Sequence, residues 1–157
     1  MSKDISINID GCRLNVRVIF LVENNERYLL ETTSIPDVYN VLGGRMKFFE
    51  TSTVAVLREI KEELGILLNE DDVKLIATLE NFFVFDEEPH HEFSFAFYVK
   101  LSDNFEICKQ EKIINQDKPE QSFFWVKKEE LHKYQILSQF FYMLDPTTYK
   151  HLVVDNR

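Results

Sequence analysis

Through most of this chain apolar and polar positions alternate with a period of two, and a helical period takes over in two stretches. Ile5, Ile7 and Ile9 alternate ahead of Asp10-Gly11, a turn dipeptide, which predicts an opening hairpin over residues 1–11. Residues 12–22, CRLNVRVIFLV, begin in alternation and end apolar on both faces, as a strand entering a core does. Glu23-Asn24-Asn25 predicts a turn into a strand over 27–32, and Val38 to Leu42 reads as a short strand running into Gly43-Gly44. Two longer strands follow, at 73–85 and 92–101, joined by an acidic loop from Asp86 to His91. In the second of these, Phe93, Phe95 and Phe97 share one face, and Ser94, Ala96 and Tyr98 the other. Residues 102–119 read as an exposed polar excursion, 122–126 as another strand, and 127–131 as an acidic helix start.

The first helical stretch is Ser52 to Leu64, with Thr51 or Ser52 as its cap and Gly65 as a left-handed closing residue. The second is Ile136, Leu137, Phe140, Phe141 and Leu144, stopped by Asp145-Pro146, which predicts a C-terminal helix at about 135–145. Strands on both sides of one strongly patterned helix predict an α/β fold, a mixed sheet sandwiched between helices, in one domain over 1–157. On the wheel of the first helix, Glu59, Glu62 and Glu63 fall within an arc of about 100°. Val54, Leu57, Ile60 and Leu64 fill another of about 120°, roughly opposite. Like charges at these spacings repel. A bound hard cation removes that repulsion, and oxygen-only ligands favour Mg²⁺ or Mn²⁺.

Composition narrows the partners. The net charge of −9 argues against a nucleic-acid-coating role, which needs clustered Lys and Arg, but leaves a small nucleotide substrate open as its metal complex. Cys12 and Cys108 are the only cysteines, so no disulfide framework is implied and a reducing cytoplasm fits best. The N-terminus has charge where a signal peptide has an apolar run, and the run Val18 to Val22 is far short of a membrane span. No membrane partner and no nucleic-acid polymer are expected, and a monomer and a homodimer both remain open.

Residues 44–66 read GRMKFFETSTVAVLREIKEELGI. At every specified position they match Gly-x5-Glu-x7-Arg-Glu-U-x-Glu-Glu-x-Gly-U, with U a bulky aliphatic, and so the chain resembles the Nudix hydrolases. The resemblance implies an α/β/α sandwich in which the signature forms a loop-helix-loop beside a mixed sheet. It also implies a Mg²⁺-dependent hydrolase, with Mn²⁺ as a substitute, that cleaves the pyrophosphate link of a nucleoside diphosphate joined to another moiety. Glu59 and Glu63 are then the expected direct metal ligands. Glu62 ligates another ion or water, or partners Arg58. Arg58 fixes the carboxylate geometry through its planar fork. Gly44 lets the backbone come close to metal or phosphate, and Glu50 suits the helix N-terminus. Two positions depart from the commoner family pattern, Phe49 and Leu42, and both bear on the loop and substrate pocket.

The family often recruits one more acid from outside the signature. Glu120, five residues before Trp125, is the first choice here, with Glu87, Glu88 and Glu92 as further candidates. His90 and His91 are candidate bases or phosphate contacts. For the substrate, Arg45, Phe48, Phe82 and His91 are the expected contacts, with Phe49 and Phe83 as further stacking candidates. The rival reading is a Nudix-like nucleotide sensor that binds without turnover.

Overall fold

The computed structural model describes residues 3–157. In chain order the strands are β1 (Ser6–Ile9), β2 (Cys12–Asn24), β3 (Arg27–Thr32), β4 (Val38–Asn40), β5 (Leu42–Arg45), β6 (Val73–Phe85), β7 (Glu88–Lys100), β8 (Lys112–Ile114), β9 (Ser122–Lys127), β10 (Gln135–Ile136) and β11 (Lys150–Asn156), with helix α1 (Ser52–Leu64) between β5 and β6. Strand β2 organises them. One edge pairs in parallel with β7, from Arg13 opposite His90 to Glu23 opposite Lys100. Its other edge pairs antiparallel with β5, from Arg17 opposite Arg45 to Phe20 opposite Leu42. Beyond β7 lie β6, antiparallel, and β11, parallel to β6. At its far end β2 turns through Asn25 and Glu26, both at positive φ, into β3, which carries a wing of β4, β9 and β8.

The alternation along β2 sorts the core into two layers. Val18, Phe20 and Val22, with Phe97 and Val99 of β7, pack under Ala55, Val56, Ile60 and Leu64 of α1. Ile19, Leu21 and Ala96 point the other way, onto Leu131, Phe140 and Phe141. Burying each of the larger of these side chains, the alanines aside, stabilises the fold by about 1.5–3 kcal/mol. Helix α1 begins where Thr51 Oγ1 accepts from the Val54 N–H at 3.2 Å and ends at Gly65, whose φ of 69° a side-chain-bearing residue adopts only with strain.

The α/β class and mixed sheet hold, and three local expectations change. The segment 135–145 is not an α-helix. Gln135 and Ile136 pair in parallel with β4, Leu137 N–H donates to Tyr39 O, and only a 3₁₀ turn, Gln139–Met143, follows. An open sheet edge captured the backbone, and Phe140 and Phe141 reach the core from that turn. The second covering layer is therefore made of 3₁₀ turns, Lys128–Lys133 and Gln139–Met143. The acidic loop 86–91 shrinks to a turn at Asp86-Glu87, both at positive φ, and Glu88 to His91 belong to β7. Residues 102–119 are not all exposed: Ile107, Cys108, Ile113 and Asn115 are buried. Strand β11, which alternation did not mark, closes the sheet beside β6.

Candidate active site

The signature folds as a loop, a helix and a left-handed stop, and Arg58 ties its parts together. Its Nε donates to Glu50 Oε1 at 2.7 Å, and Nη2 to Glu50 Oε2 and Arg45 O, both at 3.0 Å. Nη1 donates to Glu59 Oε1 at 2.6 Å and Glu62 Oε2 at 2.9 Å. All the N–H groups of the guanidinium are thereby engaged. Glu50 also accepts from the Lys47 N–H at 2.9 Å, so it pins the loop as well as the arginine. Hydrogen bonding from Arg58 holds the Glu50 carboxyl below its ordinary value.

The carboxylate arc does not face solvent opposite the core. The buried positions of α1 are Ala55, Val56, Glu59, Ile60, Glu63 and Leu64, so two of the three acids turn inward while Val54 is exposed. Gly44 makes this possible: a Cβ there would stand 2.2 Å from the Glu59 carboxylate. Glu63 is 2% exposed and its Oε2 has no hydrogen-bond partner among the described residues. Burial, reinforced by the charges of Glu31 and Glu59, pushes its carboxyl up to about 8. Burial likewise raises Glu59, against the pull of Arg58, and raises Glu31, against Lys118.

Glu31, in the middle of the apolar strand β3, was not foreseen. It is buried and accepts from Asn115 Nδ2 at 3.3 Å. A carboxylate flanked by core residues in RYLLET was the available signal. Glu120, the expected extra acid, is exposed on the turn before β9 and joins no hydrogen bond or ion pair among the described residues. Its neighbour Lys118 reaches the site instead, where its charge opposes the raised values of Glu31, Glu59 and Glu63. Glu88 is occupied by Arg13, at 2.7 Å, and Glu87 lies in the turn.

A cleft of about 630 Å³ opens over this arrangement. Glu59, Glu62, Gly43 and Gly44 form one wall, and Arg17, Arg45, Lys47, Arg58 and Lys118 supply positive charge. Phe83, His90, Asn15 and Glu92 line the far side. Strand parity therefore selects Phe83 and His90 rather than Phe82 and His91. The latter pair sits on the opposite face of the sheet, with the His91 ring between Phe82 at 4.5 Å and Phe93 at 4.6 Å. Phe48 lies on the loop before α1, outside the cleft lining, and Arg45 is among the residues that line it. Arg17, also unforeseen, had a signal in the polar alternation of Asn15 and Arg17 along a strand otherwise bound for the core.

The donor set fits a hard divalent cation. It is all oxygen, Glu63 carries a buried oxygen without a partner, and Gly44 leaves the cradle in which Glu59 lies. Among the described residues no three acidic, His or Cys side chains already converge as a finished cage. No helix among them is long and apolar enough to cross a membrane.

Comparison with known proteins bears on the fold and the family. No curated protein matches the sequence. The fold is similar to that of a mutator MutT protein from Bacillus halodurans, with a TM-score of 0.61 and 16% identity over 82% of this chain and 78% of that one. It is also similar to the E. coli ORF135 protein, with a TM-score of 0.52 and 19% identity over 84% and 86%. At these identities the likeness speaks for the fold alone. The family model for the NUDIX domain matches residues 13–144, a span that takes in the whole signature, and the chain belongs to the Nudix family.

Proposed function

We propose that the chain is a divalent-metal-dependent pyrophosphohydrolase acting on a nucleoside diphosphate linked to another group. The observation that carries this is Glu63: a buried carboxylate without a hydrogen-bond partner among the described residues, next to Glu59 and Glu31, under a cleft with cationic walls. An arrangement of this kind lowers the stability of the empty protein and is relieved by a cation.

Glu59 and Glu63 would hold Mg²⁺, or Mn²⁺ in its place, with Glu62 nearby. Bound there, the ion supplies charge neutralisation at the phosphate oxygens and a more acidic water. The remaining work falls to the chain. Arg17, Arg45, Lys47 and Lys118 draw in and orient the polyphosphate. Arg58 keeps Glu59 and Glu62 in fixed positions through its fork. Glu31, rather than Glu120, takes the proton of the attacking water, since burial raises it toward the range where a carboxylate accepts protons well.

The test is phosphate or phosphomonoester release from a panel of nucleoside triphosphates, nucleotide sugars and dinucleoside polyphosphates with Mg²⁺. The wild type is expected to turn over at least one of them, and Glu63→Gln to lose that turnover. Ligand-induced thermal stabilisation without turnover across the panel would overturn the proposal in favour of a nucleotide sensor.

A further inference from the structure

Resting on the reading of the cleft as a nucleotide site, a second feature of it goes further. Asn15, Glu92 and Asn81 stand side by side on β2, β7 and β6, each the direct cross-strand partner of the next, so all three project from one face of the sheet. Two of them are far from solvent, Asn15 at 4% exposed and Glu92 at 6%, and Asn81 is half-buried. The Oδ1 atoms of both Asn15 and Asn81 are buried without a hydrogen-bond partner among the described residues. Among the described residues Glu92 has only a long hydrogen bond from Ser94 Oγ, at 3.4 Å, and a loose ion pair with Arg17, at 3.7 Å. Polar groups buried this deeply normally have partners. A row of three under-partnered ones across a sheet is a floor made for a ligand.

The surroundings indicate which kind. In the next row Phe83 and His90 are also cross-strand partners, their rings stacked at 4.7 Å and 20°, and both line the cleft as an aromatic wall. A second cavity, of about 320 Å³, holds Asn81 and shares Arg17, Phe83 and Glu92 with the cleft that carries the signature. A ligand with its phosphates at Arg17 and the signature thus extends naturally over the row. We propose that Asn15, Glu92 and Asn81 read the edge of a nucleobase, and that this base is of the guanine type.

The choice of base follows from hydrogen-bond polarity. An ionised carboxylate only accepts, and two adjacent oxygens match two adjacent donors. Guanine presents a ring N–H beside an exocyclic amino group. Adenine and cytosine place an acceptor nitrogen beside their amino groups, and uracil flanks its single N–H with two carbonyls. Each of these three leaves an acceptor facing Glu92. The amides of Asn15 and Asn81, which both donate and accept, complete the edge on either side.

Calorimetry on the full chain with the α,β-methylene diphosphates of guanosine, inosine and adenosine tests this without turnover. The guanosine compound should bind at least about 10-fold more tightly than the adenosine one, the discrimination of one good bidentate pair, with inosine between them. Glu92→Gln should bring guanosine to within about 2-fold of adenosine, by weakening guanosine and relieving the acceptor clash with adenosine, and Asn81→Ala, which leaves the carboxylate in place, should narrow the ratio by less. Adenosine binding as tightly as guanosine overturns the inference. So does Glu92→Gln weakening all three alike, which would make Glu92 merely the holder of Arg17. If Glu92→Gln fails to fold, the wild-type ratio and the Asn81→Ala ratio decide. No binding of any of the three would instead sink the nucleotide reading itself, whereas a guanosine preference without hydrolysis of any guanosine nucleotide would keep the reader and reject the hydrolase.

Discussion

The middle and the C-terminal end of one short helix are built in opposite ways. Around Arg58 every polar group has a partner: Glu50, Glu59, Glu62 and the Arg45 carbonyl share one guanidinium, and the carboxyl of Glu50 is held low. One turn further on, Glu63 is more deeply buried, has an oxygen without a partner, and has its carboxyl pushed up to about 8 by burial and by Glu31 and Glu59. In the first region the guanidinium finds all its partners within the protein. The second, on the proposed function, is completed by a bound cation. A signature that places four charged residues on one helix therefore divides its labour between a rigid clamp and a site in tension.

The largest effect should come from removing the tension. Glu63→Gln keeps the shape and removes the charge, so it is expected to lower kcat/KM by about 100-fold or more while leaving the metal-free protein at least as stable. Steady-state kinetics beside thermal unfolding in chelator read both. Similar losses of stability and activity together would erase the distinction between the two regions.

Arg58→Lys attacks the clamp. A lysine keeps the charge but not the fork, leaving Glu50 and Glu59 short of donors. Stability should fall by about 1.5–3 kcal/mol, the scale of hydrogen bonds to charged groups, and activity by about 10- to 100-fold. Denaturant titration that finds no change would mean the fork is ornamental.

The pH dependence of the metal-free protein separates the regions again. Glu63 is raised in the folded state, so between its ordinary value near 4.5 and about 8 the folded chain binds more protons than the unfolded one. Stability contributed by protonated Glu63 is thus present at low pH and lost as pH rises through that window. The slope should reach at most about 1.4 kcal/mol per pH unit per proton. Glu31 and Glu59, raised in the same direction, add to it, while Glu50, lowered, opposes it only at the acid end. Denaturant midpoints from pH 5.5 to 8.5 in chelator should fall, and Glu63→Gln should flatten the fall. The smallest effect belongs to the helix start: Thr51→Ala removes one capping bond, for about 1 kcal/mol, and should leave kcat unchanged.

The clamp was legible in the sequence because its parts are close in the chain. Gly44, Glu50, Arg58 and Glu62 lie within one loop and helix, and the helix limits follow from Thr51 and Gly65. The other half was harder to read because it is assembled across strands. Glu31 and Arg17 arrive from β3 and β2, and Lys118 comes from a stretch that looked like solvent-facing excursion. Phe83 and His90 differ from Phe82 and His91 only in strand parity, and parity depended on the turn being Asp86-Glu87 rather than a six-residue loop. The helical spacing of Ile136, Phe140 and Phe141 was real but misleading. The same residues reach the core from a short strand and a 3₁₀ turn once β4 offers a free edge.

On the proposed function, Glu63 awaits a divalent cation. Calorimetric titration of the metal-free chain with Mn²⁺ at pH 7, repeated in two buffers of different ionisation enthalpy, tests it most directly. The wild type should bind saturably and release a proton, and Glu63→Gln should bind more weakly without proton release. An absence of Mn²⁺ uptake, or binding whose proton release is the same in both proteins, would contradict it.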